Sequence, residues 1–370
     1  MTVLTRLRRL VAPAAAAISR RRMARNAVKP MLAGRSYAVD RPRFEAIDAH
    51  AHLNSIFAGN WRGRGVRQVV AALDKAGVTA LVDLDGGFGD ALSAEIGRLQ
   101  EPYPDRIAVF AGIDTDAFAR DEAFGEVEAA RLQDSVRRGA RGLKVWKTLG
   151  LHAVDPAGRR IPVDDARLDP LWRAAAASRI PVMIHVADPP AFFEPLNRRN
   201  ERWPELRRHP EWHYRPIRTN PDGAGYPSHA ELIAQFDRLL ARHPGTTFIG
   251  AHLASSGDDL EGLSGMLRAH ANLHVDIAAR INELGRQPYS ARRFIEEFQD
   301  RVLLGTDSGP DPRWYPVYFR FLETPSEYMN YSIFDPPPQG NWRVHGLDLP
   351  DTTLEKVYSG NASRLVRFGA

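Results

Sequence analysis

Six residues have the right chemistry to work together: His50, His52, Lys144, His185, His252 and Asp307. His50 and His52 lie two apart at the end of an apolar run, so the period-two rule sends both to one face of a strand. Singly, each has an ordinary explanation. A His-x-His can be structural, a buried lysine can extend its amine to water or pair with an acid, and Asp307 before Ser308-Gly309 can form a turn. Jointly, four imidazoles, an amine and a carboxylate gathered round one point are costly unless a divalent cation compensates them. Nitrogen-rich ligation with one carboxylate suits Zn²⁺ first, with Mn²⁺, Fe²⁺ or Co²⁺ possible on the same ligands, as one ion or two. An open coordination position would bind water and lower its pKa towards about 7. Asp307 beside it would act as general base and later protonate a leaving group, which predicts metal-assisted hydrolysis.

For those side chains to meet, the chain must place them at the same end of neighbouring strands. Strand candidates run over 44–49, 79–84, 107–113, 142–147, 181–187, 246–252, 273–278 and 301–306, each short, β-branched-rich and almost continuously apolar. Helical patterns fall between them near 66–76, 90–100, 121–138, 165–178, 229–242, 258–270, 290–299 and 314–322, and residues 352–367 read as a closing helix. Ser228 and Glu231 form a capping box before the stripe of Leu232, Phe236 and Leu239. Eight β-then-α units predict a single-domain (β/α)8 TIM barrel over residues 41–370, with an open doubly-wound sheet as the alternative. His50, Lys144, His185, His252 and Asp307 then stand at strand ends, where such a barrel keeps its chemistry. Connections 188–228 and 309–350, after the fifth and eighth strands, are far longer than usual and read as lids or specificity loops, or as surface interaction loops.

Charge is unevenly spread. The 370 residues hold 50 basic and 45 acidic side chains, but residues 1–40 alone carry nine basic groups and one acid. The remaining 41 basic and 44 acidic groups make the body mildly acidic, which disfavours a nucleic-acid-binding core. No apolar run reaches about 18 residues, so no membrane-spanning helix is expected, and the absence of cysteine removes disulfides and thiolate ligands. The tail reads as a basic, disordered or loosely docked extension. Its alanine-rich stretch Leu10–Ile18 makes an export leader the competing reading, against a cytoplasmic location. The expected partner is a small-molecule substrate, and a homo-oligomer is left open.

The motifs IDAHAHL at 47–53, RGLKVWKTLG at 141–150, PVMIHVADP at 181–189, FIGAHLAS at 248–255 and LLGTDSGP at 303–310 resemble the strand motifs of the amidohydrolase superfamily. The likeness is to its amidohydrolase-related (family 2) branch, and YSGNASRLV at 358–366 is similar to that branch's closing helix. It extends over about residues 44–368. The resemblance implies that His50 and His52 bind the more buried metal, that His185 is the fifth-strand ligand, and that Asp307 is a metal ligand and proton shuttle. It makes His252 a second-metal ligand or a substrate-polarising group. Lys144 matches the fourth-strand lysine that bridges two metals when carboxylated; many family 2 members use one metal and no such lysine, and Lys147 lies near enough to compete. The family contains both hydrolases of amide, lactone or ester-like bonds and decarboxylases of small unsaturated or aromatic acids. Hydrolysis is the leading expectation, with a lyase as alternative and a non-catalytic barrel as the third reading.

Secondary expectations follow from position. Asp48 and Asp188 flank candidate ligands and could hold imidazoles by their other nitrogen, or be ordinary strand-end acids. Gly86–Gly89 reads as a tight turn more than a substrate contact. Arg199 and Arg202 could clamp a substrate carboxylate or pair internally, while His209, His213 and His229 read as solvent-exposed.

Overall fold

Eight short apolar runs form eight parallel strands in the computed structural model, which describes residues 31–32, 34–214 and 225–369. They are β1 (Ala46–Ala51), β2 (Val78–Asp83), β3 (Ile107–Ala111), β4 (Gly142–Val145), β5 (Val182–Ile184), β6 (Phe248–Gly250), β7 (Leu273–Asp276) and β8 (Val302–Leu303). Spatial order equals chain order. The segment after β8 returns to β1 through Ala49 N to Leu304 O (2.9 Å), Asp307 N to His50 O (2.8 Å) and His52 N to Ser308 O (3.1 Å), closing the expected (β/α)8 barrel.

Helices Val66–Ala76, Gly89–Glu95, Phe124–Arg137, Asp169–Ser178, His229–Arg242, Leu260–Ala269, Pro288–Glu297 and Tyr315–Glu323 follow the strands in turn. Ser228 Oγ caps the fifth of these by accepting from Glu231 N at 3.2 Å. The closing helix expected at 352–367 runs without a break over residues 351–365, with a π-helical turn at Lys356–Gly360. Buried Asn361 anchors it by donating to Gln299 O and Val302 O, both at 2.7 Å. Most of the basic tail, including Leu10–Ile18, and residues 215–224 of the first long connection lie outside the described residues.

Two apolar layers hold the barrel. Ile47, Ala49, Val82, Phe110, Met183, Ile249 and Leu303 come from alternate strand positions and fill the interior, while the larger layer packs strands against helices. Glycine makes one interior contact possible: a Cβ at Gly142 would meet the Phe110 ring at 2.3 Å. Gly305 does the same at the site end, where a Cβ would stand 2.7 Å from the His50 Cβ.

His274 on β7 carries a pH prediction. Burial, reinforced by Arg364 and Arg301, lowers its pKa to about 4, and its Nδ1 has no hydrogen-bond partner among the described residues. Since an unfolded histidine titrates near about 6.5, the neutral buried ring contributes stability that is full above that pH and is lost as pH falls towards about 4. Urea unfolding at pH 7 and pH 4.5 should therefore show a smaller loss for His274→Gln than for the native protein. Equal losses would contradict the assignment.

Candidate metal centre

The ladder between β1 and β2 slips between Asp48 and Ala51, and this irregularity parts residues that strict alternation would group. Asp48 turns away from the imidazoles: it accepts from Thr306 Oγ1 at 2.7 Å, Tyr315 OH at 3.0 Å and the backbone of His50 and Thr306 at 3.1 Å. It ties β1 to the segment after β8, and its burial pushes its pKa to about 6. His50 and His52 face the barrel mouth together.

Each of three imidazoles is gripped at Nδ1. His50 Nδ1 donates to Asp276 Oδ2 at 2.9 Å, His52 Nδ1 to Asp85 Oδ1 at 2.7 Å, and His252 Nδ1 to Ala278 O at 2.8 Å. With Nδ1 held in this way, Nε2 is the atom that each of the three rings turns towards the centre. Those Nε2 atoms converge on one carboxylate: His50 and His52 lie 3.3 and 3.1 Å from Asp307 Oδ1, and His252 lies 3.9 Å from Oδ2. Ligand atoms of His50, His252 and Asp307 all fall within 4.8 Å of one another, close enough to hold a metal ion.

Lys144 is fully buried, with Nζ 3.5 Å from His50 Nε2 and 5.2 Å from the Trp146 ring, which itself lies against His52. It points inward as alternation expects, whereas Lys147 pairs with Asp188. His185 stands beside the group rather than within it. Its ring is 4.4 Å from that of His252, but its Nε2 turns to Ala187 O at 3.1 Å.

Electrostatics follow from crowding. Burial opposes the charge on Asp307, but His252, His50 and His52 outweigh it and hold the carboxylate well below its usual range. Burial likewise opposes charging of His52, yet Asp307 and Asp85 raise it to about 9. Desolvation lowers Lys144 to about 8 against the pull of Asp307 and Asp276.

Strain marks the same places. His252 and Asp307 have left-handed φ values of 59° and 60°, as does Ala279 at 56° on the same rim. Here the strand expectation fails in detail: His185, His252 and Asp307 lie one, two and four residues beyond their strands. Left-handed backbone at His252 and Asp307 aims these two side chains across the mouth. Asp276 and Asp85 were not anticipated. The one signal for either is its place at the end of a strand candidate, Asp276 within 273–278 and Asp85 directly after 79–84.

Other expectations sort themselves. Asp188 accepts from Lys147 and from Tyr214 OH at 2.8 Å, with His185 Nε2 at 3.7 Å from its Oδ1. A Cβ at Gly86 would meet Phe110 O at 2.4 Å, so this glycine serves packing. Arg202 pairs internally with Glu283, Glu205 and Asn282, while Arg199 is exposed. His229 corrects its expectation: it is half-buried, with Nε2 2.8 Å from Ser255 O, because it opens a helix packed on the turn after β6.

Two adjoining cavities open over the centre, of about 230 Å³ and about 150 Å³. Ala279, Asp307 and Gln339 line both; Lys147, His185 and Arg280 line the first, and Trp314, Tyr318 and Tyr331 the second. Both long connections thus contribute walls.

The family model for Amidohydrolase, family 2, matches residues 47–368. The chain belongs to this amidohydrolase family. It is a family of enzymes, generally metal-dependent. Solved structures share the fold with this chain. A proposed amidohydrolase from Staphylococcus aureus is 14% identical, covers 87% of this chain and 99% of its own, and has a TM-score of 0.53. An uncharacterized TIM-barrel protein from Bordetella bronchiseptica is 17% identical over 87% of this chain and 98% of its own, with a TM-score of 0.50. A 5-carboxyvanillate decarboxylase from Sphingomonas paucimobilis is 13% identical over 88% and 100%, with a TM-score of 0.47. At these identities the likeness to the Staphylococcus aureus and Bordetella bronchiseptica structures shows the fold alone. No curated protein sequence matches the chain. No helix among the described residues is long and apolar enough to cross a membrane.

Proposed function

We propose that this protein is a metal-dependent hydrolase that cleaves an amide, lactone or ester-like bond of a small molecule. The observation that carries the reading is the convergence of three back-anchored imidazoles on Asp307. That donor set fits a divalent cation, since three ring nitrogens and an ionised carboxylate already face one point. His50, His52, His252 and Asp307 would hold it, with His185 as a further imidazole and Lys144, carboxylated, as the bridge if two ions bind. Zn²⁺ suits these ligands best; Mn²⁺, Fe²⁺ and Co²⁺ are the alternatives.

A bound divalent cation supplies Lewis acidity at water and at the scissile carbonyl. Asp307 takes one proton from the attacking water as the new C–O bond forms, then returns it to the departing nitrogen or oxygen as the scissile bond breaks. His252 polarises the carbonyl oxygen. The aromatic wall of Trp314, Tyr318 and Tyr331 excludes bulk water while this occurs.

Metal analysis of the purified protein, together with a panel of small lactones, amides and esters, tests the proposal. Bound metal and hydrolysis that is lost on chelation and restored by Zn²⁺ are expected. Carbon-13 NMR of native protein equilibrated with ¹³C-bicarbonate should show a carbamate carbon that is absent from Lys144→Ala if two ions bind. Carbon dioxide release from small aromatic acids, with no hydrolysis of the panel, would overturn hydrolysis in favour of a lyase. Full activity without metal would overturn both.

A further inference from the structure

We propose that Gln339 is a specificity-determining residue, and that the substrate carries an uncharged, carboxamide-type group that its side-chain amide receives in the smaller of the two cavities. This rests on the hydrolase reading for the bond cleaved, though not for the recognition of that group.

Charge rules out ionic recognition there. The cavity measures about 150 Å³, and Asp307 is the one charged side chain among the described residues of its wall. That carboxylate is engaged by the imidazoles of the metal centre. An anion set against Trp314, Tyr318 and Tyr331 would meet no arginine or lysine in this wall, and a cation would meet no free acid. A flat, uncharged group fits, since a cavity of about this volume holds one benzene ring and aromatic walls stack on it.

Most of the wall's hydrogen-bonding capacity is already spent. Thr306 Oγ1 donates to Asp48, Asn282 Oδ1 accepts from Arg202, and Tyr318 OH donates to Thr306 O. Ser308 Oγ donates to Gly309 O, and Tyr331 OH to Gly340 O. Uncommitted among the described residues are the Trp314 indole N–H, the Ser332 hydroxyl proton and both ends of the Gln339 amide. Only Gln339 offers an acceptor beside its donors with neither engaged. A carboxamide presents the same pair in reverse, so two hydrogen bonds form at once.

Both neighbours of Gln339 are tied down. Arg208, from the first long connection, donates to Pro338 O. Gly340 N donates to Tyr331 OH at 3.2 Å, and that hydroxyl donates back to Gly340 O at 3.1 Å. Pro336, Pro337 and Pro338 fix φ on the approach. Backbone held on each side of an unbonded amide spares a ligand the cost of ordering it. Gln339 also lines the larger cavity, together with His185, His252 and Asp307. A group held by Gln339 therefore stands beside the bond presented to the centre.

Benzamide, benzoate and toluene share one ring and differ in the group it bears. Titration of the purified full-length protein, as isolated and after chelation, measures each of them; the chelated state removes any direct attraction to metal. In that state benzamide is expected to bind more tightly than either of the others. Gln339→Met keeps the length of the side chain and should weaken benzamide roughly 3- to 10-fold, with toluene unchanged. A benzamide complex should place the carboxamide within hydrogen-bond distance of the Gln339 amide. Unchanged benzamide affinity in Gln339→Met, benzoate bound more tightly than benzamide by chelated protein, or a carboxamide seated away from Gln339 would each overturn the proposal. Should Gln339→Met not fold, the native ranking and the complex still decide. Carbon dioxide release from aromatic acids, with the Gln339-dependent preference intact, would sink the hydrolase reading and leave the recognition standing. Hydrolysis of the panel with no such preference would do the reverse.

Discussion

Replacing Asp307 with asparagine is expected to lower kcat/KM by roughly 10³-fold while leaving the fold intact. Asparagine has the same shape and, like aspartate, tolerates the left-handed φ of 60° at this position. Thermal stability should therefore hold. Function should not, for two reasons that act together. The amide cannot take a proton from water, and its NH₂ group would offer donors where the Nε2 lone pairs of His50 and His52 stand 3.3 and 3.1 Å away. Steady-state kinetics on whichever panel substrate is hydrolysed, alongside a melting curve, makes the check. Near-native turnover by Asp307→Asn would remove the aspartate from the proposed proton transfer.

Asp276→Asn carries the second large effect, a fall in metal affinity of about 10- to 100-fold. Asp276 is fully buried and never reaches the centre itself. It accepts from His50 Nδ1 at 2.9 Å, from the backbone N–H of His252 at 2.9 Å and from that of Ala278 at 3.0 Å. Burial works against its charge, but His50 and His252 outweigh that and hold it at about 2. An amide in its place can keep one acceptor, yet its NH₂ would meet the Nδ1–H of His50 or the backbone donors. Moving the imidazole proton to Nε2 relieves the first conflict and spoils the atom that faces Asp307. Metal competition against a chromophoric chelator measures the affinity, and ¹⁵N shifts of His50 report the tautomer. Unchanged affinity with an unchanged tautomer would show that Asp276 only supports the backbone.

Architecture was legible because periodicity is local. Strands buried on both faces must be short and apolar, and helices covering them must be amphipathic, so a reading of neighbours along the chain finds eight units in order. The candidate ligands were legible for a related reason: imidazoles and a carboxylate at the ends of apolar runs have no packing role to explain them. His-x-His is the clearest case, and both rings do face the same carboxylate.

The alternatives that residue type and spacing leave open share a cause as well. Asp48, which adjoins the motif, holds backbone and hydroxyls instead of an imidazole, while Asp276 reaches His50 across 226 residues. Arg202, placed in the same cavity wall as Arg280, is consumed by Glu283 and Glu205. Residue type and spacing determined that this chain forms a barrel with nitrogen donors and a carboxylate at one rim. Tertiary structure alone decided which nitrogen faces the centre and which acids grip the rings. Hydrogen bonds and ion pairs depend on distances of a few ångströms between residues that the chain keeps far apart, and no local pattern records them.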